Sequence, residues 1–225
     1  MAGPLQMYLY IHDAILREVA ELELVARELN GEDATEVAAL ADRMAWFHKM
    51  VKQHEHAEEE VLFPAMNDRY RFVAETYQFD HDHFEDQVFD GVDAAFAGLA
   101  RANGSGERKD HLRLLHRQNI ALNVHMKLHI SKENELLIPK LEQEFDVEEQ
   151  IAIAGGMAGL FDQQLMGETV GFTYRGQSAQ DREGMIRFLM KLLPEEAFSG
   201  MAGMLEAMGA DDWAEMQRRI PELAA

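Results

Sequence analysis

Two stretches of the chain carry the same residue types at the same spacing: His54-Glu-His-Ala-Glu58-Glu-Glu-Val-Leu-Phe-Pro64 and His129-Ile-Ser-Lys-Glu133-Asn-Glu-Leu-Leu-Ile-Pro139. Each reads histidine, three residues, glutamate, five residues, proline. On a helix, a histidine and a glutamate four apart project from one face, one turn above the other. An imidazole and a carboxylate on an inward face, supplied by each of two helices, are the parts from which a bundle assembles a two-metal site in its core. Imidazole nitrogen and carboxylate oxygen suit iron, manganese or zinc better than soft Cu(I). The chain has no cysteine, which excludes disulfides, thiolate ligands, iron–sulfur clusters and cysteine nucleophiles together.

Two more histidines extend the repeat. His12 in Ile11-His12-Asp13 matches His81 in Asp80-His81-Asp82, with apolar residues three and seven later in both copies (Ile15 and Val19; Phe84 and Val88). The elements that must position these residues are long helices, predicted over about 5–29, 33–62, 68–100 and 107–145. Asn30-Gly31, Pro64 and Asn103-Gly-Ser-Gly106 are read as the stops between them. Leu9, Ile15, Leu16, Val19, Leu22 and Val25 form the apolar side of the first, and Phe72, Tyr77, Phe84, Val88, Val92 and Phe96 that of the third. Short connections between long helices imply an up-down-up-down four-helix bundle. His12 and His54 are each roughly 17–20 residues from the first turn, and His81 and His129 roughly 20–22 from the third, so at about 1.5 Å per residue all four share one level. Glu58 and Glu133, facing each other one turn further on, can bridge two metals that the histidines cap.

One position breaks the symmetry. His125 lies one turn before His129 on the same stripe, and its counterpart before His54 is Met50. With His125 as a ligand the two metals are unequal, and one keeps an open position for a small molecule. Tyr8 and Tyr77, four before His12 and His81, and Glu55 beside His54 are candidates for the surrounding shell, Glu55 also as a terminal carboxylate. His56 and His83 are expected to face away from the site, and Glu59, Glu60 and Glu135 to form solvated faces.

The chain has 225 residues and a net charge of −20, which disfavours nucleic acid and anionic membrane surfaces. No run of about 18 apolar residues suggests a membrane span. The first residues lack a basic region followed by an apolar core, so a cytoplasmic protein, monomer or homodimer, is expected. Residues 1–145 are read as the bundle and 146–225 as a short-helix C-terminal extension. Breaks are expected at Ala154-Gly-Gly-Met157 and over 167–178, then helices over 182–193, 195–208 and 211–220. Eight of the 14 methionines lie beyond residue 150, where they read as flexible core fillers.

His12, His54-x-x-x-Glu58, His81, His129-x-x-x-Glu133 and the Leu62-Phe63-Pro64 ending resemble the hemerythrin-like, or HHE cation-binding, family in its bacterial form. The resemblance covers about residues 5–145. It implies an all-α bundle around a non-haem diiron centre, two irons bridged by an oxo or hydroxo group. Glu58 and Glu133 are then bridging ligands, and His12, His54, His81 and His129 terminal ones; zinc or manganese is the alternative filling. The implied function is binding or reduction of O2, NO or peroxide, an oxidoreductase if it turns over; the alternative is sensing of iron, O2 or NO, or iron storage, without turnover. Oxygen carriers of the family pair histidines on the third helix and use an aspartate late in the fourth. Here the pair is His125 and His129 and the acid is Glu133, so oxygen carriage does not transfer.

Overall fold

The computed structural model describes residues 4–224, which are helical apart from connecting turns; no strand occurs among them. The chain divides into two compact units, Leu16–Glu144 in one and Met1–Ile15 with Phe145–Ala225 in the other.

The Leu16–Glu144 unit holds the helical runs of an up-down-up-down bundle. Helix α1 (Gln6–Glu28) enters it at Leu16 and buries Val19, Leu22 and Ala26, three or four residues apart as an apolar stripe requires. The chain turns at Gly31, whose φ of +72° is open to glycine at little cost. Asp33 caps α2 (Ala34–Ala57), its carboxylate accepting from the N–H groups of Thr35 and Glu36. Helix α2 buries Leu40, Met44, Phe47, Met50 and Val51.

Pro64 does not stop this run. The helix widens into a π-turn, π1 (Glu58–Leu62), then continues as α3 (Phe63–Arg69). The Phe63 N–H reaches back five residues to the Glu58 carbonyl. Proline in an α-helix lacks a donor and clashes with the carbonyl four residues earlier. A widened turn just before it relieves that conflict, so proline here ends the α register rather than the helix. The second copy does the same: α6 (Ser105–Lys132) leads into π3 (Glu133–Leu137), where the Ile138 N–H bonds the Glu133 carbonyl, then Pro139 lies in α7 (Ile138–Glu144).

The third run starts later than the periodicity predicts. Asp68 belongs to α3, residues 70–74 form a turn, and Phe72 is 61% exposed with φ +66°, off the apolar face assigned to it. Asn67 supplies the local reason: its side-chain oxygen accepts from the Ala74 N–H at 3.1 Å, which favours a turn over a helical ladder. The run then comprises α4 (Glu75–His83), a third wide turn π2 (Phe84–Phe89) and α5 (Asp90–Arg101). Helices α5 and α6 approach closely because Gly91 and Gly98 leave room for the Gln118 side chain and the His111 ring; a Cβ at Gly98 would fall on that ring.

In the other unit, α8 (Val147–Ala158), α9 (Gln163–Gly176), α10 (Ala179–Leu192), α11 (Glu195–Met208) and α12 (Ala210–Arg219) follow in order. Tyr174, Met185, Ile186, Leu205, Trp213, Met216 and Ile220 form its core, with Met7 and Tyr10 of α1 packed against them. The expected breaks at 154–157 and 167–178 are largely helix. Gly155 and Gly156 lie inside α8, and Gly167 and Gly171 act in α9 as recesses that receive Met204 and Met208 of α11. Glycine there serves packing, a use that a propensity reading takes for a breaker.

Candidate metal centre

The three wide turns mark the site: Glu58 opens π1, Glu133 opens π3, and His81 stands three residues before π2. Glu58, His81, His129 and Glu133 converge in the interior of the Leu16–Glu144 unit, with one ligand atom from each within 4.8 Å of all the others. They are 1–4% exposed. His81 Nε2 and His129 Nε2 are 3.3 Å apart. Two imidazole nitrogens at right angles on one ion, about 2.1 Å from it, stand about 3 Å apart, so this pair already has the spacing of neighbouring ligands.

The carboxylates complete the arrangement. Glu133 Oε1 lies 3.3 Å from His129 Nε2. Glu58 serves two different rings: Oε1 is 3.4 Å from His54 Nε2 and Oε2 is 3.5 Å from His81 Nε2. A carboxylate that offers each oxygen to a separate histidine is shaped to bridge.

The far side of each inner ring is fixed by an acid. His81 Nδ1 is 2.9 Å from Glu59 Oε1, and His129 Nδ1 is 3.0 Å from Asp80 Oδ2, which Lys132 Nζ also reaches. With a metal bound, these contacts would hold the proton on Nδ1 and turn the Nε2 lone pairs inward, the usual support for metal-binding histidine. Neither acid was assigned this role by the sequence; Glu59 was expected on a solvated face. The signal is there in outline, because Glu59 and Asp80 each adjoin a ligand candidate, but each supports a histidine on another helix. Phe63 stacks on His81 at 5.4 Å between ring centroids, and Phe84 stands edge-on to His129 at 5.4 Å.

The electrostatics of the bare cluster are adverse. Burial, then the nearby Glu133 charge, pushes the Glu58 carboxyl well above the usual carboxylate range. Burial pulls the His129 imidazole down, but Glu133 and Asp80 outweigh it and hold it at about 9. Buried carboxylates with no lysine or arginine among the four converging groups are what a cation would neutralise, so the donor set fits a metal ion. Asp80 is drawn below its usual value: burial opposes this, and the bonds from His129 and Lys132 outweigh it. We expect Asp80→Asn to weaken metal binding about 10–100-fold, since the amide cannot hold the His129 tautomer as a carboxylate does. Competition with a metal-chelating indicator measures it, and unchanged affinity would remove Asp80 from this role.

The remaining candidates divide. His54 joins the cluster through Glu58. His12 is fully buried on the stretch of α1 before Leu16, with the Tyr8 ring edge-on at 5.6 Å. The Tyr8 hydroxyl turns to the Met157 sulfur. Tyr77 stands edge-on to His129, with its hydroxyl 3.5 Å from the Lys132 carbonyl oxygen. Glu55 is buried, its Oε1 without a hydrogen-bond partner, and burial raises its carboxyl well above the usual range. His125 is not brought to the four-residue cluster: it is half-exposed, with Nδ1 2.8 Å from His83 Nε2. His56 is exposed, as expected.

Comparison with known proteins bears on the same residues. The chain is 27% identical over 194 residues to the zinc finger protein BRUTUS of Arabidopsis thaliana, and 25% identical over 151 residues to the zinc finger protein BRUTUS-like At1g18910 of the same plant. These alignments cover 86% and 67% of the chain but only 15% and 12% of the relatives, so the chain spans a small part of their length. No solved structure matches it. The profile of the hemerythrin HHE cation binding domain matches residues 4–100, a stretch with His12, His54, Glu58 and His81 that ends before His129 and Glu133. Over residues 4–100, therefore, the chain is similar to the hemerythrin HHE cation binding domain family.

Proposed function

We propose that the cluster is a carboxylate-bridged dinuclear centre that holds two iron ions and binds or reduces a small oxidant: O2, NO or peroxide. The observation that carries this reading is Glu58, whose two oxygens lie 3.4 and 3.5 Å from histidines on different helices. His81, His129 and Glu133 would hold one ion, and His54 the other, with His12 added by the sequence repeat. Glu58 would be shared by the two, and the sequence repeat implies the same for Glu133. Bound iron supplies a redox-active Lewis acid at which a small oxidant can be held or reduced.

The chain's own residues do the rest. Glu59 and Asp80 keep the inner rings turned toward the ions, while Phe63 and Phe84 exclude water around them. Glu55, buried and close enough to feel the His129 charge, is placed to serve as a further carboxylate or proton acceptor. A second reading is a sensing module without turnover. The match to a small fraction of much longer relatives favours it, since a domain in a large protein often reports to the rest.

Metal analysis of protein purified without added metal, with absorption spectra before and after exposure to O2, tests the centre. About two irons per chain and a spectrum that changes with O2 are expected. About two zinc ions and no iron would defeat the diiron assignment. Peroxide or NO consumed over many equivalents marks an enzyme; uptake that stops at stoichiometry marks a sensor or store.

A further inference from the structure

Two histidines remain that the buried centre does not use. His83, the last residue of α4, and His125 of α6 meet with Nε2 and Nδ1 2.8 Å apart, ring centroids 4.7 Å apart and planes at 39°. Both are half-exposed. The inner pair, His81 and His129, comes from the same two helices, which run antiparallel. His83 is two residues beyond His81 toward the α5–α6 turn, and His125 is one turn before His129, also toward that turn. The outer pair is thus displaced roughly 3–6 Å along the seam from the inner one.

The two pairs differ in what holds them. Each inner ring has a carboxylate on its far nitrogen. Among the described residues no such acid is bonded to His83 or His125; Asp80, whose charge His125 feels, is engaged by His129 and Lys132. A half-exposed imidazole can satisfy its nitrogens with water, yet these two point at each other from rigid helices. At 2.8 Å the two nitrogens share a hydrogen bond, and without the shared proton they have nearly the spacing of two ligands on one ion, about 3 Å. Such a two-nitrogen chelate, completed by water, suits divalent ions of borderline softness and binds them more weakly than a buried, carboxylate-rich set.

We infer that His83 and His125 form a second, outer metal site for a divalent transition ion such as Co2+, Zn2+ or Ni2+, one that stands on the route by which the buried centre is loaded. The loading role rests on the buried centre proposed above; the outer site itself does not.

The test is a Co2+ titration of the metal-free full chain, with bound ion counted by equilibrium dialysis and loading followed by absorbance. The variants are His83→Ala/His125→Ala, the milder His125→Asn, and Glu58→Gln/Glu133→Gln, with helicity checked for each. The first two should bind one ion fewer than wild type and fill the buried centre several-fold more slowly, to unchanged final occupancy. The glutamine variant should keep the one outer ion. Equal stoichiometry in wild type and both histidine variants overturns the outer site, as does loss of all cobalt from the glutamine variant. A lost ion with an unchanged loading rate overturns the route. If wild type binds only the ion that the histidine variants lose, the buried centre fails while the outer site stands.

Discussion

Replacing Glu58 and Glu133 together by glutamine is expected to make the metal-free protein more stable and to abolish the proposed dinuclear centre. The two effects have one cause. Both side chains are 1% exposed, and without a cation a charge on Glu58 is held against its own desolvation and against Glu133. Glutamine relieves the buried Glu58 charge, and the loss of the Glu133–His129 pair offsets part of that gain. Glutamine keeps the shape but is a poor ligand, so bound metal should fall from about two ions per chain to one or none at the buried centre. The pH dependence is a sharper check. The Glu58 carboxyl is raised in the folded state, so the folded protein holds its proton where the unfolded chain has lost it. Stability from this group therefore falls as pH rises above the unfolded carboxylate value, near 4.3. Glutamine does not titrate. The advantage of the variant should be small near pH 4.5 and grow toward neutrality. Denaturant unfolding of both metal-free proteins at three pH values measures it. A variant less stable than wild type at pH 7.5 without metal would mean that the carboxylates are already compensated inside the fold.

Phe84→Ala carries the second large effect. Phe84 is 1% exposed, opens π2, and stands edge-on to the His129 ring. Truncating a buried phenylalanine costs about 3–5 kcal/mol, through lost burial and the cavity left behind. The cavity here would open beside a ligand. The His129 ring then keeps its Asp80 contact but loses its apolar wall, so metal affinity should fall along with stability. Phe84→Leu separates the two. It restores most of the volume, and we expect it to recover most of the stability but little of the edge-on contact. Thermal unfolding with and without metal reads both quantities. Full stability in Phe84→Ala would show that the position repacks and that the wall is not rigid.

These residues show how far the sequence reading reached. Spacing picked out His54, Glu58, His129 and Glu133, because histidine and glutamate four apart on two predicted helices can face one interior, and the wider repeat added His12 and His81. The ends of the long helices followed from Asn30-Gly31 and the glycine-rich turn at 103–106. Three things escaped. Asp80 and Glu59 act across helices, and no spacing within one helix reports that. His125 shares a helical stripe with His129, but stripe membership does not set depth, and the ring finds His83 instead. The prolines were read as stops because propensity assumes an α ladder, and the structure changes the ladder. In the C-terminal residues the helices over 195–208 and 210–219 were legible from periodicity, whereas α9 was hidden by glycines whose use is packing against methionine.

The three π-turns have a consequence for which metals the centre accepts. A wide turn breaks the α hydrogen-bond register, which gives the residues within it more room to adjust than a regular ladder does. Here two of the wide turns begin at Glu58 and Glu133, the carboxylates proposed as bridges, while the histidines stand on α-helix. Such a centre anchors its nitrogens and lets its oxygens travel. The distance between two ions is then set by the ions more than by the scaffold. Discrimination by ionic radius should be weak, and which metal fills the site becomes a matter of supply and of intrinsic affinity for imidazole.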